Sequence, residues 1–314
     1  MDAAPEDPNR DLGLGSRLTQ RGGTRFLNHD GSFNVVRVGL PFTRSLNIYH
    51  TLITTPWRNF FGIVAAFYLT LNLLFACAYL AAGPGALEGV VVTTPGDHFS
   101  QAFFFSVQTF ATIGYGVIHP HGLAANLLVT VEALVGLMSL ALATGILFAR
   151  FSRPQARILF SQRAVIAPYR GITGLMFRIA NERSSQMINV EAQVTLSRNE
   201  LIDGRTQRRF YGLALERSKV NFFPLHWVVV HPIDEKSPLR DVTAEAFAAS
   251  DAEVLVLLSA VDETFSETVH RRTSYKFAEV TWGARFRDMF VDTGTDQPAI
   301  DMRRLSEIEK VPGR

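Results

Sequence analysis

The chain has 314 residues, of which 47% are hydrophobic and 19% charged, and its net charge is +2. Such averages would suit a water-soluble protein, but all 31 Lys and Arg residues lie outside positions 59–149, which excludes an evenly solvated surface over that stretch. The one cysteine, Cys77, excludes an intrachain disulfide, and a charge this near neutral gives no basis for a nucleic-acid partner.

In chain order, residues 1–36 are rich in Pro, Gly, Asp and Arg and read as a flexible N-terminus with nothing like a cleavable signal peptide. Phe42, Leu46, Tyr49, Leu52 and Ile53 then recur at helical spacing with Arg44, Asn47 and His50 between them. That pattern predicts an amphipathic helix along the inner membrane surface, ending near Pro56, with Trp57 and Arg58 at the interface. From Asn59 to Ala82 there are 24 residues without a charge. At about 1.5 Å per residue this run crosses a hydrocarbon core of about 30 Å.

Phe99 to Phe110 is apolar and aromatic but too short to cross, so it predicts a re-entrant helix opened by Pro95, Gly96 and Asp97. Directly after it stand Thr112, Ile113, Gly114, Tyr115 and Gly116. This sequence reads as one quarter of a potassium selectivity filter, in which backbone carbonyls replace the water around the ion. Consecutive carbonyls face one axis only if the backbone alternates into conformations that glycine adopts without a Cβ penalty. Ile113 and Tyr115 would point away and brace the ring. One copy encloses no pore, so the reading requires four subunits, a homotetramer.

A second apolar run, Leu123 to Ala149, carries one acid, Glu132. Gly136, Leu140, Thr144 and Phe148 follow it at steps of four and drift around one helix face, which makes this the candidate pore-lining helix. A ring of Phe148 side chains could gate by excluding water, or Phe148 could pack on a neighbouring span. Gly136 and Gly145 are candidate hinges, with packing weighted more heavily at Gly145. Glu132 is expected to support the filter region from behind. Arg44 and Arg58 precede the first span and Arg150, Arg153 and Arg157 follow the second, while Glu88 and Asp97 lie between. The positive-inside rule then puts both termini in the cytoplasm of a multi-pass protein of the cell (inner) membrane.

Beyond Pro154 short β-rich runs alternate with turns: Ala164–Ala167, Leu175–Ala180, Val190–Leu196, Phe210–Leu215, Trp227–Val230, Glu253–Val261 and Val280–Trp282. They predict an antiparallel β-sandwich with one helix near Thr243–Ala249. His226, His231 and His270 have no metal-ligand spacing, and no catalytic motif appears, so an enzyme is not expected. The expected domains are the N-terminus to 36, a pore domain at 37–153, a regulatory sandwich at 154–303 and a tail at 304–314.

The stretch from Phe103 to Gly116, followed by Phe148-Ala149-Arg150-Phe151-Ser152-Arg153-Pro154, resembles the prokaryotic inward-rectifier potassium channels, the KirBac group. His231 to Leu239 and Arg272-Thr273-Ser274-Tyr275 resemble loops of that family's cytoplasmic domain. The resemblance runs from about residue 30 to about 303. It implies an α+β membrane protein: two transmembrane helices, a re-entrant pore helix, a slide helix at about 44–55 and a cytoplasmic immunoglobulin-like β-sandwich that prolongs the pore. It also implies that Leu140 occupies the cavity position governing polyamine and magnesium block, Phe148 the helix-bundle gate and the loop at 262–269 a cytoplasmic constriction. Potassium is the permeant ligand, and no cofactor is implied.

Three departures from the family pattern matter. Gln108 stands where members often carry Glu, and Ile118 where eukaryotic relatives carry its basic partner. Leu140 is apolar where strong rectifiers have an acid, so rectification is expected to be weak. The extracellular cysteine pair of eukaryotic relatives is missing. Arg150, Arg153 and Arg157 are candidate contacts for anionic lipid, including phosphoinositides, or simply set topology. The competing reading, a membrane-anchored sandwich that senses without conducting, leaves the half-length helix and its Thr-Ile-Gly-Tyr-Gly continuation without a purpose.

Overall fold

The computed structural model describes residues 25–34, 48–91, 94, 96–152, 157–182, 187–202, 204–223, 225–292, 294 and 299–311. They form two compact units, one within residues 38–153 and one made of 25–34 with 157–311.

The first unit is helical. Helix α1 (Ile48–Thr54) is the described part of the expected slide helix; Phe42, Arg44, Leu46 and Asn47 lie outside the described residues. Pro56 separates it from α2 (Trp57–Ala81), whose 25 residues have a mean hydropathy of 2.1. Only Phe60, Asn72, Ala76 and Tyr79 of α2 are buried. The last three sit at i, i+4 and i+7 on a single face. Phe61, Phe67, Leu69, Leu73 and Leu74 remain exposed, as a lipid-facing surface would be. After the two-residue strand β1 (Leu87–Glu88) comes α3 (Asp97–Phe110), then β2 (His119–Pro120) paired antiparallel with β1, then α4 (Gly122–Phe151) with a mean hydropathy of 2.0. Helix α3 starts two residues earlier than the aromatic run suggested. Asp97 lies in its first turn, where a negative charge suits the helix dipole, and accepts from the Thr94 amide at 2.6 Å.

The second unit is an immunoglobulin-like β-sandwich. Its strands are β3 (Ile158–Phe160), β4 (Ala164–Tyr169), β5 (Ile172–Asn181), β6 (Met187–Ile202), β7 (Arg205–Gly212), β8 (Lys219–Phe223), β9 (His226–Ile233), β10 (Glu253–Asp262), β11 (Glu267–Lys276) and β12 (Val280–Trp282). One sheet runs β11-β10-β6-β7 with β8 also on β6; the other runs β12-β4-β5-β3 with β9 also on β5. All pairings are antiparallel except β12 with β4. Phe177, Ile179, Val194, Leu196, Val254, Val256 and Leu258 supply much of the core between the sheets. The expected helix is α5 (Ala244–Ala249), capped by the Thr243 hydroxyl, which accepts from the Ala246 amide at 3.2 Å.

Two segments expected outside the sandwich are part of it. Residues 25–34, expected to be flexible, pack on its surface with Phe26 and Leu27 buried. The Phe26 and Leu27 amides donate to the buried Glu253 carboxylate, and Arg25 forms two bonds to Glu279 at 2.8 and 2.9 Å. Beneath lies a buried charge cluster: Arg208 is 2.8 Å from Asp251 and 3.7 Å from Glu253, and Lys276 is 2.7 Å from Asp251. Residues 304–311, expected to be a tail, include β16 (Ile308–Lys310), which pairs with β13 (Ala284–Phe286). Between them the short β14 (Phe290–Val291) pairs with β15 (Ala299–Ile300).

Candidate functional site

The filter segment begins where α3 ends. Thr112, Gly114 and Gly116 have φ of 57°, 60° and 80°, whereas Ile113 and Tyr115 between them do not enter positive φ. This alternation is the backbone requirement inferred from the glycine pattern. Glycine meets it freely at two of the three positions, and Thr112 adopts a conformation that L-residues disfavour. The segment is fastened through main chain: the Gln108 carbonyl accepts from the Ile113 amide at 2.8 Å and the Gly114 amide at 3.3 Å, and the Thr109 carbonyl accepts from the Thr112 amide at 3.0 Å. Gln108 thus holds the 112–116 segment by its backbone. Tyr115 is 73% exposed in the single chain.

The strap β1–β2 ties the chain that follows Gly116 to the segment after α2. Glu88 lies 3.2 Å from His119 and 2.9 Å from His121. Gly89, at φ 87°, lets the Val117 carbonyl approach to where a Cβ would be 2.0 Å away. A side chain there would displace the residue next to Gly116.

Behind the filter, α4 meets α3 closely. A Cβ on Gly136 would lie 2.6 Å from the Phe110 carbonyl oxygen, while one on Gly145 would meet nothing within 4 Å. Within the single chain the close approach is therefore at Gly136; what stands opposite a glycine decides this, and sequence does not contain it. Glu132 is fully buried and meets the hydroxyls of Tyr79 and Ser106, and Ser106 in turn lies 3.1 Å from Asn72. This cluster joins α2, α3 and α4. Tyr79, Ser106 and Asn72 were not singled out from sequence, though polar side chains in a stretch without bases were the available signal.

The expected single face of α4 divides in two. Ala125, Glu132 and Gly136 are buried, whereas Leu140, Thr144 and Phe148 are exposed, Leu140 at 66% and Phe148 at 72%. Each step of four adds about 40° at 3.6 residues per turn, so four steps carry the direction to nearly the opposite side. Glu132 and Gly136 thus face the pore helix, and Phe148 does not share their surface. The Thr144 hydroxyl donates to the Leu140 carbonyl at 2.9 Å. An apolar groove beside Thr112 is lined by Leu52, Phe67, Leu140 and Ala143.

Arg150 has protein partners. Its guanidinium donates to the Leu52 carbonyl and, at 2.7 Å, to the Thr55 carbonyl, and it stacks 4.4 Å over the Trp57 ring and 4.5 Å over Phe60. Helix α1 ends with unsatisfied carbonyls, and a cation there both bonds them and suits the helix dipole. Arg157 is half-exposed, 3.9 Å from Glu182, and Arg153 lies outside the described residues. In the sandwich, the expected loop at 262–269 is a turn over residues 263–266 between the end of β10 at Asp262 and the start of β11 at Glu267, and the buried Asp262 carboxylate accepts from the Thr264 amide at 2.9 Å. His231 is buried between the Ala214 carbonyl at 2.6 Å and the Ser237 hydroxyl at 2.7 Å. The Ala214 carbonyl can only accept, so Nδ1 carries the proton given to it, and Nε2 of the neutral ring accepts from the Ser237 hydroxyl. Burial pushes the His231 imidazolium pKa below its ordinary value, against the Ala214 hydrogen bond and the charge of Asp234, which raise it.

Comparison with known proteins agrees with this geometry. The family model described as the inward rectifier potassium channel C-terminal domain matches residues 158–314, and one described as an ion channel matches residues 63–153. The chain is 43% identical over 286 residues to inward rectifier potassium channel Kirbac3.1 of Paramagnetospirillum magnetotacticum, covering 90% of this chain and 95% of that protein. It is 28% identical to inward rectifier potassium channel 4 of Rattus norvegicus, covering 92% of this chain and 73% of that one. Its identity to ATP-sensitive inward rectifier potassium channel 8 of Mus musculus is 31%, covering 76% of this chain and 63% of the other. A filter-like backbone between two apolar helices, followed by a sandwich that matches the family's C-terminal domain, leads to one assignment: the chain belongs to the inward rectifier potassium channel family, whose members are channels and not enzymes.

Proposed function

We propose that four copies of this chain form a potassium-selective pore in the cell (inner) membrane, with both termini and the sandwich on the cytoplasmic side. The observation that carries the reading is the alternation of φ at Thr112, Gly114 and Gly116, fastened to the Gln108 carbonyl. Potassium is the cargo, held by the carbonyls of Thr112, Ile113, Gly114 and Tyr115 and by the Thr112 hydroxyl. The exposed apolar side chains of Ile113, Tyr115 and Leu137 support assembly, because they give each copy a surface for its neighbours to cover. Below the filter, Leu140 and Thr144 line the cavity and Phe148 closes it toward the cytoplasm. The apolar Leu140 makes rectification weak, with little hold on a polyamine or magnesium ion. For anionic lipid, Arg150 is a poor contact, because its guanidinium is engaged by α1. Rubidium uptake into liposomes holding the purified chain tests the proposal. Uptake that exceeds sodium uptake is expected, and equal sodium uptake, or none of either across lipid compositions, would overturn it.

A further inference from the structure

The buried cluster behind the filter holds more contacts than its hydroxyl hydrogens can supply. Ser106 Oγ lies 3.1 Å from Asn72 Oδ1 and also meets Glu132 Oε1, while the Tyr79 hydroxyl meets Glu132 Oε2. The Asn72 amide is oriented by its Nδ2, which donates to the Tyr68 carbonyl at 2.8 Å, so Oδ1 faces Ser106 and can only accept. Three oxygen-to-oxygen contacts need three hydrogens. The hydroxyls of Tyr79 and Ser106 carry one each. The third belongs to Glu132.

Charge balance leads to the same place. Residues 59–149 contain no Lys or Arg, so among the described residues an ionised Glu132, fully buried among helices that cross the membrane, has no cation paired with it. An unpaired carboxylate in such surroundings is strongly disfavoured. Among the described residues, the titratable group that faces Glu132 from the helices packed on it is the Tyr79 phenol.

We propose that Glu132 works as a neutral carboxylic acid, donating to Ser106 in a one-way chain from Tyr79 through Glu132, Ser106 and Asn72 to the Tyr68 carbonyl. Each member gives one hydrogen bond to the next, and no buried oxygen is left facing another without a hydrogen. The chain fixes α3 to both spans. Ser106 stands two residues before Gln108, whose carbonyl holds the Ile113 and Gly114 amides, so the cluster sets where the filter backbone sits. Tyr79, Ser106, Asn72 and Glu132 are positioning residues that never touch the ion. This inference rests on the filter reading above, but its first test does not depend on conduction.

The infrared difference spectrum at neutral pH between the unaltered protein in lipid and Glu132→Gln is expected to show loss of a protonated-carboxyl carbonyl band. Loss of carboxylate bands instead would overturn the proposal. Tyr79→Phe, which removes only the donation to Oε2, should shift that carbonyl band and keep it; its disappearance would also overturn the proposal. In rubidium and sodium uptake, Glu132→Gln should retain selectivity, because the amide can donate to Ser106 and accept from Tyr79 as the acid does. Ser106→Ala removes a link and should lower the rubidium-to-sodium ratio about tenfold. An unchanged ratio in Ser106→Ala, or an equal loss in Glu132→Gln, would refute the positioning role. If the unaltered protein passes no rubidium, the conduction reading fails while the infrared result still decides the proton.

Discussion

At the scale of single residues, the two glycines of α4 make opposite predictions. Alanine is favoured over glycine in a helix by about 1 kcal/mol, so Gly145→Ala should leave stability unchanged or raise it. Gly136→Ala would set a methyl 2.6 Å from the Phe110 carbonyl oxygen. Overpacking of this kind costs about 1–3 kcal/mol and displaces the end of the pore helix. Thermal unfolding in detergent should therefore separate the two variants, with Gly136→Ala lower. His231 supplies a pH prediction with a definite sign. Burial holds its folded-state pKa below the ordinary 6.5, so as pH falls through 6.5 the unfolded chain takes up a proton before the folded one does. Its contribution is complete above that value and is lost as pH falls toward the lowered folded value. His231→Gln should flatten the dependence of the sandwich's unfolding midpoint on pH over that interval.

At the scale of elements, the segment at 25–34 is a clasp whose strength lies in a few charged contacts. Arg25 binds Glu279 through two nitrogens, and both side chains are about three-quarters buried, so the pair is worth more than an open surface ion pair. Arg25→Glu should release the segment and increase protease cutting within 25–34, and combining it with Glu279→Arg should restore protection. Cutting unchanged in the single variant would show that Phe26 and Leu27 alone hold it. The elements legible in the sequence were those with a strong period or length: α2 and α4 are longer than an ordinary buried helix and nearly free of charge, and β10 alternates inward and outward from Val254 to Asp262. Strand β11 escaped notice because Glu267–Lys276 is charged and polar along its length; its hydrogen bonds to β10 make it a strand. The two- and three-residue strands β13 to β16 carry no period at all. Residues 25–34 looked flexible because their composition is polar, and the acid that receives their amides, Glu253, is more than two hundred positions away.

At the scale of the whole molecule, the proposed assembly places Leu140 in a central cavity, where an acid would attract a cationic blocker from each of four sides. Leu140→Asp should strengthen block by internal spermine and make outward current fall steeply with voltage; an unchanged current would refute the placement of this side chain. Family and fold were readable from the sequence by itself, because each is written in local features: runs long enough to span lipid, and strands with a period of two; the glycine spacing at 114 and 116 likewise announced the positive φ found there. Tertiary structure alone decided which polar groups meet. It brought Tyr79, Ser106 and Asn72 to Glu132, turned Arg150 onto the end of α1, set Gly136 against Phe110 and recruited residues 25–34 and 308–310 to the sandwich unit. The physical reason is that a buried polar or closely packed group is specified by its partner across space, and the sequence states the need for a partner without stating which residue answers it.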